Sequence, residues 1–481
     1  MKEQVLGRRI KVRNPRTGQL DYEFTAVGKL ALTAAIDLLR ENQPKWREAG
    51  VKHRIEVIKR WQQAMLSERG AIVEALQQDT GRLMLAHQEF DSLHRSIDRW
   101  CSQAPLILSP YKQVSVAMPS VEIHGESSPY QVLGAISPWN FPLLLSFIDV
   151  IPALLAGCSV FIKPSEITPR FAVSIARSIA ATNDLADILT IMPGDGLTGQ
   201  ALIELVDIVA FTGSVSTGKK VATSAAQQFI PAYLELGGKD PAVVLEGADL
   251  ERATTAILRA SIAATGQACQ SLERIYVSHN DHDKFIKLLT NKANAVKLTK
   301  DDPNTGILGP LIFTRQADII QQHLDDAVQK GAIIYCGGYI EDEEGAKWIA
   351  PTVLGNVDHS MAIMTEETFG PIMPVMAFET TAAAIALANN SSYGLSAAVF
   401  GKDDESALAA AKQINAGGIS INDAGLTTMI FETEKSAFGY SGMGPSRNGT
   451  SGLTRFLRQK SIYLNHGDVL PISLFSEQPT S

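Results

Sequence analysis

Residues 132–166 read VLGAISPWNFPLLLSFIDVIPALLAGCSVFIKPSE. Two short apolar runs, VLGAIS and SVFIKP, bracket a longer one, FPLLLSFIDVIPALLAG. The short runs have the length of strands and the segment between them has the length of a helix. Parallel neighbours need such a crossover, so the stretch predicts a strand–helix–strand unit of a parallel sheet. The apolar run over 141–162 is interrupted by Asp149 and Pro152. A membrane span needs ~20 predominantly apolar residues without such breaks, so the run reads as a buried helix and a strand.

The same alternation continues on both sides. Downstream, FAVSIARSIAATN is a helix, ILTIMPG a strand, TGQALIEL a helix and VDIVAFTGS a strand. Beyond the double glycine at Gly237 and Gly238 it starts again with PAVVLE, a helix over 250–264, RIYVS, and the helix DKFIKLLTNKA. GAIIYCGG, APTVLGNV, IMPVMAFE, AAVFG and GGISIN read as further strands, with helices around TAAAIALANN and ESALAAAKQIN. Upstream, 30–81 has helical periodicity, and 112–130 alternates like an arm that leaves the domain. The fold class expected is α/β, with two doubly wound, Rossmann-like parallel sheets and a small β arm.

The bulk numbers agree with a multidomain globular protein: 481 residues, 45% hydrophobic and 20% charged. A net charge of −8 without basic clusters disfavours nucleic acid as a partner. The N-terminus carries no apolar signal core, and a cytoplasmic protein with no membrane span is expected. Four cysteines lie too far apart for CxxC motifs, and nine histidines show no HExxH spacing, so no metal site is expected.

Several short motifs can carry chemistry. GDGLTG, starting at Gly194, matches GxGxxG, but no acidic residue follows at the spacing a ribose needs. It reads first as a tight turn, with Gly196 near a ligand. KPSE places Lys163 and Glu166 at a strand's carboxyl end, where a dinucleotide fold needs a carboxylate; a solvated surface pair explains them equally well. FTGSVSTGK, with Gly213 and Ser214, can cradle a pyrophosphate at a helix N-terminus. Lys220 follows its Lys219 where a P-loop requires Ser or Thr. PWNFP aims Asn140 from a rigid loop, and LELGGKDP places Glu235 at the domain boundary. EETFGP forms a second rigid loop, and GQACQS presents Cys269 among small neighbours. Alone, Cys269 is a buried thiol or a nucleophile.

Taken together, PWNFP, KPSE, FTGSxxxG, ELGGKxP, GQxC and EExFGP resemble the NAD(P)-dependent aldehyde dehydrogenase superfamily, in its order and over essentially the whole chain. The resemblance implies that Cys269 is the nucleophile, Glu235 the general base, and Asn140 the oxyanion donor together with the Cys269 N–H. It implies a cofactor site of Trp139, Lys163, Glu166, Gly196, Gly213, Ser214, Leu236, Glu367 and Phe369, for NAD with NADP possible. It implies an NAD-binding domain of 1–111 and 131–237 and a catalytic domain of 238–455. The remaining 112–130 and 456–481 would form an arm that builds a homodimer or homotetramer.

The chain departs from the family in its late motif. The family's PFGGxKxSGxGRE stands here as SAFGYSGMGPSRNG, with Pro445 and Ser446 in place of Arg–Glu. Relatives that oxidise succinic semialdehyde carry an arginine where this chain has Ala263. Leu144, Leu145, Ile148 and Leu426 are apolar pocket candidates, and Asn422 matches an asparagine near the substrate mouth. An uncharged apolar aldehyde is therefore the expected substrate, whether aliphatic, aromatic or terpenoid-type. The rivals are an acyl-CoA-forming or NADP-preferring relative and a catalytically silent homologue.

Overall fold

The computed structural model describes residues 7–477. Its first large sheet runs in the order Gly442–Met443, Ala232–Glu235, Ile208–Thr212, Val132–Ile136, Ser159–Lys163 and Leu189–Ile191. The last five strands are all parallel. Every residue of Val132–Ile136 and Ser159–Lys163 is buried, as expected of a parallel sheet covered on both faces. Helices Lys29–Glu48, Gly50–Ser67, Arg69–Thr80 and Leu83–Ile107 supply much of that cover, and Trp61 and Trp100 lie in the core.

The crossover over 141–156 is two helices, Pro142–Phe147 and Val150–Ala156, where one was expected. Pro152 has no N–H to give the Ile148 carbonyl, so a continuous helix would lose a rung there and clash. The break leaves Asp149 buried at the junction.

The second sheet has seven strands in the order Ile333–Cys336, Thr352–Gly355, Ile372–Phe378, Leu272–Ser278, Asp240–Val244, Ser396–Phe400 and Gly418–Ile421. Ile333–Cys336 is antiparallel at one edge, and the other strands are parallel. Among the elements that went unread in the sequence are the hairpins Arg9–Arg13 with Leu20–Thr25 and Ile340–Glu343 with Ala346–Ile349, and the helix Thr314–Gln329.

The 238–455 stretch does not stay wholly with the second sheet. Gly442–Met443 crosses back to pair antiparallel with Ala232–Glu235, and Leu453 packs in the first core. The arm is a three-stranded antiparallel sheet of Leu457–Asn465, Val121–Pro129 and Tyr111–Val114. In the first sheet, strand order reverses between Val132–Ile136 and Ile208–Thr212, the crevice where such sheets bind ligands. PWNFP and FTGS leave the sheet at that crevice, and ELGG leaves the next strand.

Candidate active site

Asn140 is buried, and its Nδ2 donates to the Gln267 carbonyl at 2.9 Å, leaving one amide proton uncommitted to that bond. Arg82 braces this loop from behind. Its Nη1 donates to the Asn140 carbonyl at 3.2 Å and its Nη2 to the Ala264 carbonyl, so one guanidinium joins the asparagine loop to the cysteine loop. Burial pulls Arg82 down to about 9, opposed by nearby Glu89. Glu89 in turn accepts the Leu143 and Leu144 N–H groups, each at 3.0 Å.

The helix expected over 250–264 ends at Ile262. Ala264, Thr265 and Gly266 then follow with φ of 55°, 59° and 68°. Left-handed alanine and threonine are costly conformations, and here they turn the chain sharply enough to present Cys269 at the domain seam. The thiol-bearing residue is partly exposed. A Cβ on Gly266 would strike the Gly370 carbonyl, and one on Gly238 would stand 2.5 Å from the Cys269 carbonyl oxygen. Glycine is needed at both positions for the backbones to meet.

Glu235 ends its strand partly buried, and Arg447 Nε lies 3.9 Å from its Oε1. One turn further on, the Glu367 carboxylate occupies the space a side chain on Gly237 would need, and its Oε1 accepts from Gly238 N–H at 3.2 Å. Burial, with help from Glu273, pushes Glu367 up to about 8. Its loop is pinned by a buried ion pair. Lys239 Nζ lies 2.8 Å from Glu273 and 2.9 Å from Thr368 Oγ1, while Glu273 accepts the N–H groups of Thr368 and Phe369, both at 2.7 Å. Phe369, held at φ 54°, meets Trp139 edge-to-face with ring centroids 5.4 Å apart. PWNFP and EETFGP thus touch across the two domains.

Burial pushes the Cys269 thiol up to about 12, and the carboxylates of Asp240, Glu235 and Glu367 add to it. Lys435 works the other way. Its Nζ donates to the Gln270 Oε1 at 3.3 Å and the Thr427 carbonyl at 2.9 Å. The resting sulfur is therefore a protonated thiol.

On the cofactor side, Lys163 is buried and donates to the Gly194 carbonyl at 2.7 Å, the Pro164 carbonyl at 3.0 Å and Glu166 at 3.4 Å. It ties KPSE to the next loop and leaves the Glu166 carboxylate partly open. The helix starting at Gly196 is capped by Asp195, which accepts from Leu197 and Thr198 N–H, so GDGLTG is a capped turn. By contrast the helix Val215–Gln227, capped by Ser214, opens at the strand-order reversal. Gly213 N–H donates to the Glu235 carbonyl at 3.1 Å, and Leu236 packs over Gly218, which has no room for a Cβ beneath it.

On the substrate side, Leu144, Leu145 and Ile148 keep one partly exposed face while Leu143 and Phe147 fill the core. Leu426 sits beside Thr427, whose hydroxyl donates to Gln270 at 2.5 Å, so this loop borders the cysteine. Asn422 has its amide committed elsewhere, accepting from Gly401 N–H at 3.2 Å and donating to Asp404 at 3.3 Å. Sequence reasoning missed Arg82, Lys239, Glu273, Lys435 and Arg447. Lys239 and Arg447 stand inside quoted motifs, but Arg82, Glu273 and Lys435 act over separations that carry no local signal. Among the described residues no cluster of His, Cys, Asp and Glu could hold a metal ion, and no helix is long and apolar enough to cross a membrane.

In this two-sheet α/β protein the Asn140 carboxamide is bonded to the cysteine loop, and the Glu235 carboxylate lies near enough to the Cys269 sulfur to act on it electrostatically. The aldehyde dehydrogenase family model matches residues 2–462, and the chain belongs to that family. A putative aldehyde dehydrogenase, PutA from Anabaena variabilis, superposes with a TM-score of 0.95 at 49% identity, covering 98% of this chain and 100% of that one. A 4,4'-diapolycopene aldehyde oxidase of Methylomonas sp is 37% identical over 85% of this chain and 77% of its own length. A putative succinate-semialdehyde dehydrogenase [NADP(+)] of Mycolicibacterium smegmatis is 32% identical over 90% and 84%. The NAD+ complex of Staphylococcus aureus betaine aldehyde dehydrogenase superposes with a TM-score of 0.90 at 30% identity over 98% and 94%.

Three outcomes follow from this geometry. Lys239→Met strands Glu273 in the interior, and urea unfolding is expected to show a loss of about 3–5 kcal/mol. Alkylation of Cys269 by iodoacetamide, followed by mass spectrometry without coenzyme, should be slow at pH 7 and rise through pH 10, because only the thiolate reacts. Asp240→Asn removes a carboxylate that disfavours the thiolate, so it should speed alkylation at pH 8 by about 3-fold or more.

Proposed function

We propose that this protein oxidises an uncharged apolar aldehyde to its carboxylic acid with NAD, through Cys269, Asn140 and Glu235. The observation that carries the reading is the bond from Asn140 Nδ2 to the Gln267 carbonyl. It brings a carboxamide donor from one domain onto the cysteine loop of the other.

The Cys269 thiol gives up its proton to water and its sulfur attacks the aldehyde carbon, forming a C–S bond while the carbonyl π pair moves onto oxygen as an oxyanion. The free Asn140 amide proton and the Cys269 N–H stabilise that oxyanion; such donors contribute about 3 kcal/mol each to a transition state. NAD, when bound, accepts the hydride. Glu235 then takes a proton from water, whose oxygen attacks the thioester carbon, and the C–S bond breaks to release the acid. Lys435 favours the thiolate both as attacking group and as leaving group.

The residues present fit a dinucleotide. A partly open carboxylate, Glu166, stands at a strand's carboxyl end, and the helix N-terminus at Ser214 lies at the strand-order reversal. Glu367, Phe369 and Trp139 line the approach to the sulfur. A carboxylate at Glu166 repels a 2′-phosphate, which favours NAD over NADP. The domain assignment follows, with coenzyme on the first sheet and the nucleophile supplied by the second.

For substrate, the partly exposed faces of Leu144, Leu145 and Ile148 favour an apolar aldehyde, as does the relative acting on a long terpenoid aldehyde. A second reading has one observation behind it. Lys435, bonded to Gln270 beside the cysteine, offers a cation to an aldehyde carrying an acceptor group. The exposed strand Leu457–Asn465 at the edge of the arm supports a homodimer or homotetramer, and a cytoplasmic location is proposed.

Steady-state assay of an aldehyde panel tests these readings together. Long aliphatic, aromatic or terpenoid aldehydes should show the highest kcat/KM, and a maximum at succinic semialdehyde or betaine aldehyde would sink the apolar reading. Cys269→Ala should lower NADH formation by about 1,000-fold or more. Glu166→Ser should raise kcat/KM with NADP relative to NAD by about 10-fold, since it removes a repulsion worth about one pK unit.

A further inference from the structure

The late loop that departs from the family's pattern ends in a cation aimed at the proposed base. Arg447 Nε and Nη2 grip both oxygens of Asp149, at 3.1 and 2.7 Å, in a bidentate pair. Nη2 also donates to Thr212 Oγ1 at 2.7 Å. Thr212 is the register partner of Glu235 in the first sheet, so the guanidinium is anchored one strand away from that carboxylate. Its Nε then lies 3.9 Å from Glu235 Oε1.

The charges around it are few and mostly buried. Arg455 Nη2 stands 3.4 Å from Asp149 Oδ1, with its side chain 1% exposed. Burial alone would raise the Asp149 carboxyl, but Arg447 and Arg455 outweigh it and hold Asp149 below its usual value. Two arginines face one aspartate there, and Glu235 is the second carboxylate within ion-pair distance of Arg447. Lys435, Arg455 and the Cys269 sulfur also interact electrostatically with Glu235.

We propose that Arg447 is a positioning residue for Glu235, anchored by Asp149 and Thr212, that holds the carboxylate in one orientation for hydrolysis of the thioester. The inference rests on the reading of Glu235 as general base. In the step it serves, the water proton goes to Glu235, the water oxygen bonds to the acyl carbon, and sulfur leaves with the C–S electron pair. The break between Pro142–Phe147 and Val150–Ala156 gains a purpose here, since it is what sets Asp149 under the guanidinium.

The test is stopped-flow NADH formation by the full-length enzyme with saturating NAD and its best aldehyde, over pH 5.5–9. Arg447→Met should lower kcat by about 10-fold while the first turnover stays within about 2-fold of wild type, so that a burst of NADH precedes a slow steady state. Arg447→Lys should restore most of kcat, and Thr212→Val should give a smaller fall of the same kind. A wild-type kcat and no burst in Arg447→Met, with Glu235→Gln impaired in hydrolysis, overturns the positioning role. If Arg447→Met does not fold, wild-type kcat without a burst in Thr212→Val overturns it. Wild-type turnover by Glu235→Gln instead overturns the general-base reading itself.

Discussion

The Lys239–Glu273 pair is the contact on which the site depends. Lys239 follows the double glycine that carries Glu235, and Glu273 begins the strand that follows Cys269. The same carboxylate accepts the backbone of Thr368 and Phe369. One ion pair therefore fixes the base, the nucleophile loop and the Glu367–Phe369 loop relative to each other. Both side chains are almost fully buried, which is tolerable only because nearly every polar atom is satisfied. Arg82 does for Asn140 what this pair does for Glu367, with carbonyl oxygens as its partners.

A second constraint is electrostatic. Cys269 sits among carboxylates that favour the thiol, and the opposing cations Lys435 and Arg447 both come from the irregular segment after residue 430. Burial and the strand carboxylates Asp240 and Glu235 hold the sulfur towards the thiol, and the loop supplies cations that pull the other way.

Much of this was legible in the sequence. Alternating apolar runs predicted two parallel sheets because a strand buried on both faces has to be apolar throughout, as Val132–Ile136 and Ser159–Lys163 are. Asn140, Glu235 and Cys269 stood in short motifs whose order carried the family resemblance. The helix Thr314–Gln329 went unread, and the crossover was taken as one helix although Pro152 was in view. The return of Gly442–Met443 to the first sheet had no local signal, since a two-residue strand has no period.

The sequence by itself determined the elements and the kinds of chemical group available, because propensity, apolar period and motif order are local properties. Tertiary structure alone decided which groups meet. Asn422 looked like a pocket residue and is bonded to Gly401 and Asp404. Asp149 looked like an interruption of an apolar run and is the anchor of Arg447, 298 positions away. Such pairings depend on how two sheets close on each other, and burial makes them strong where water would have made them weak.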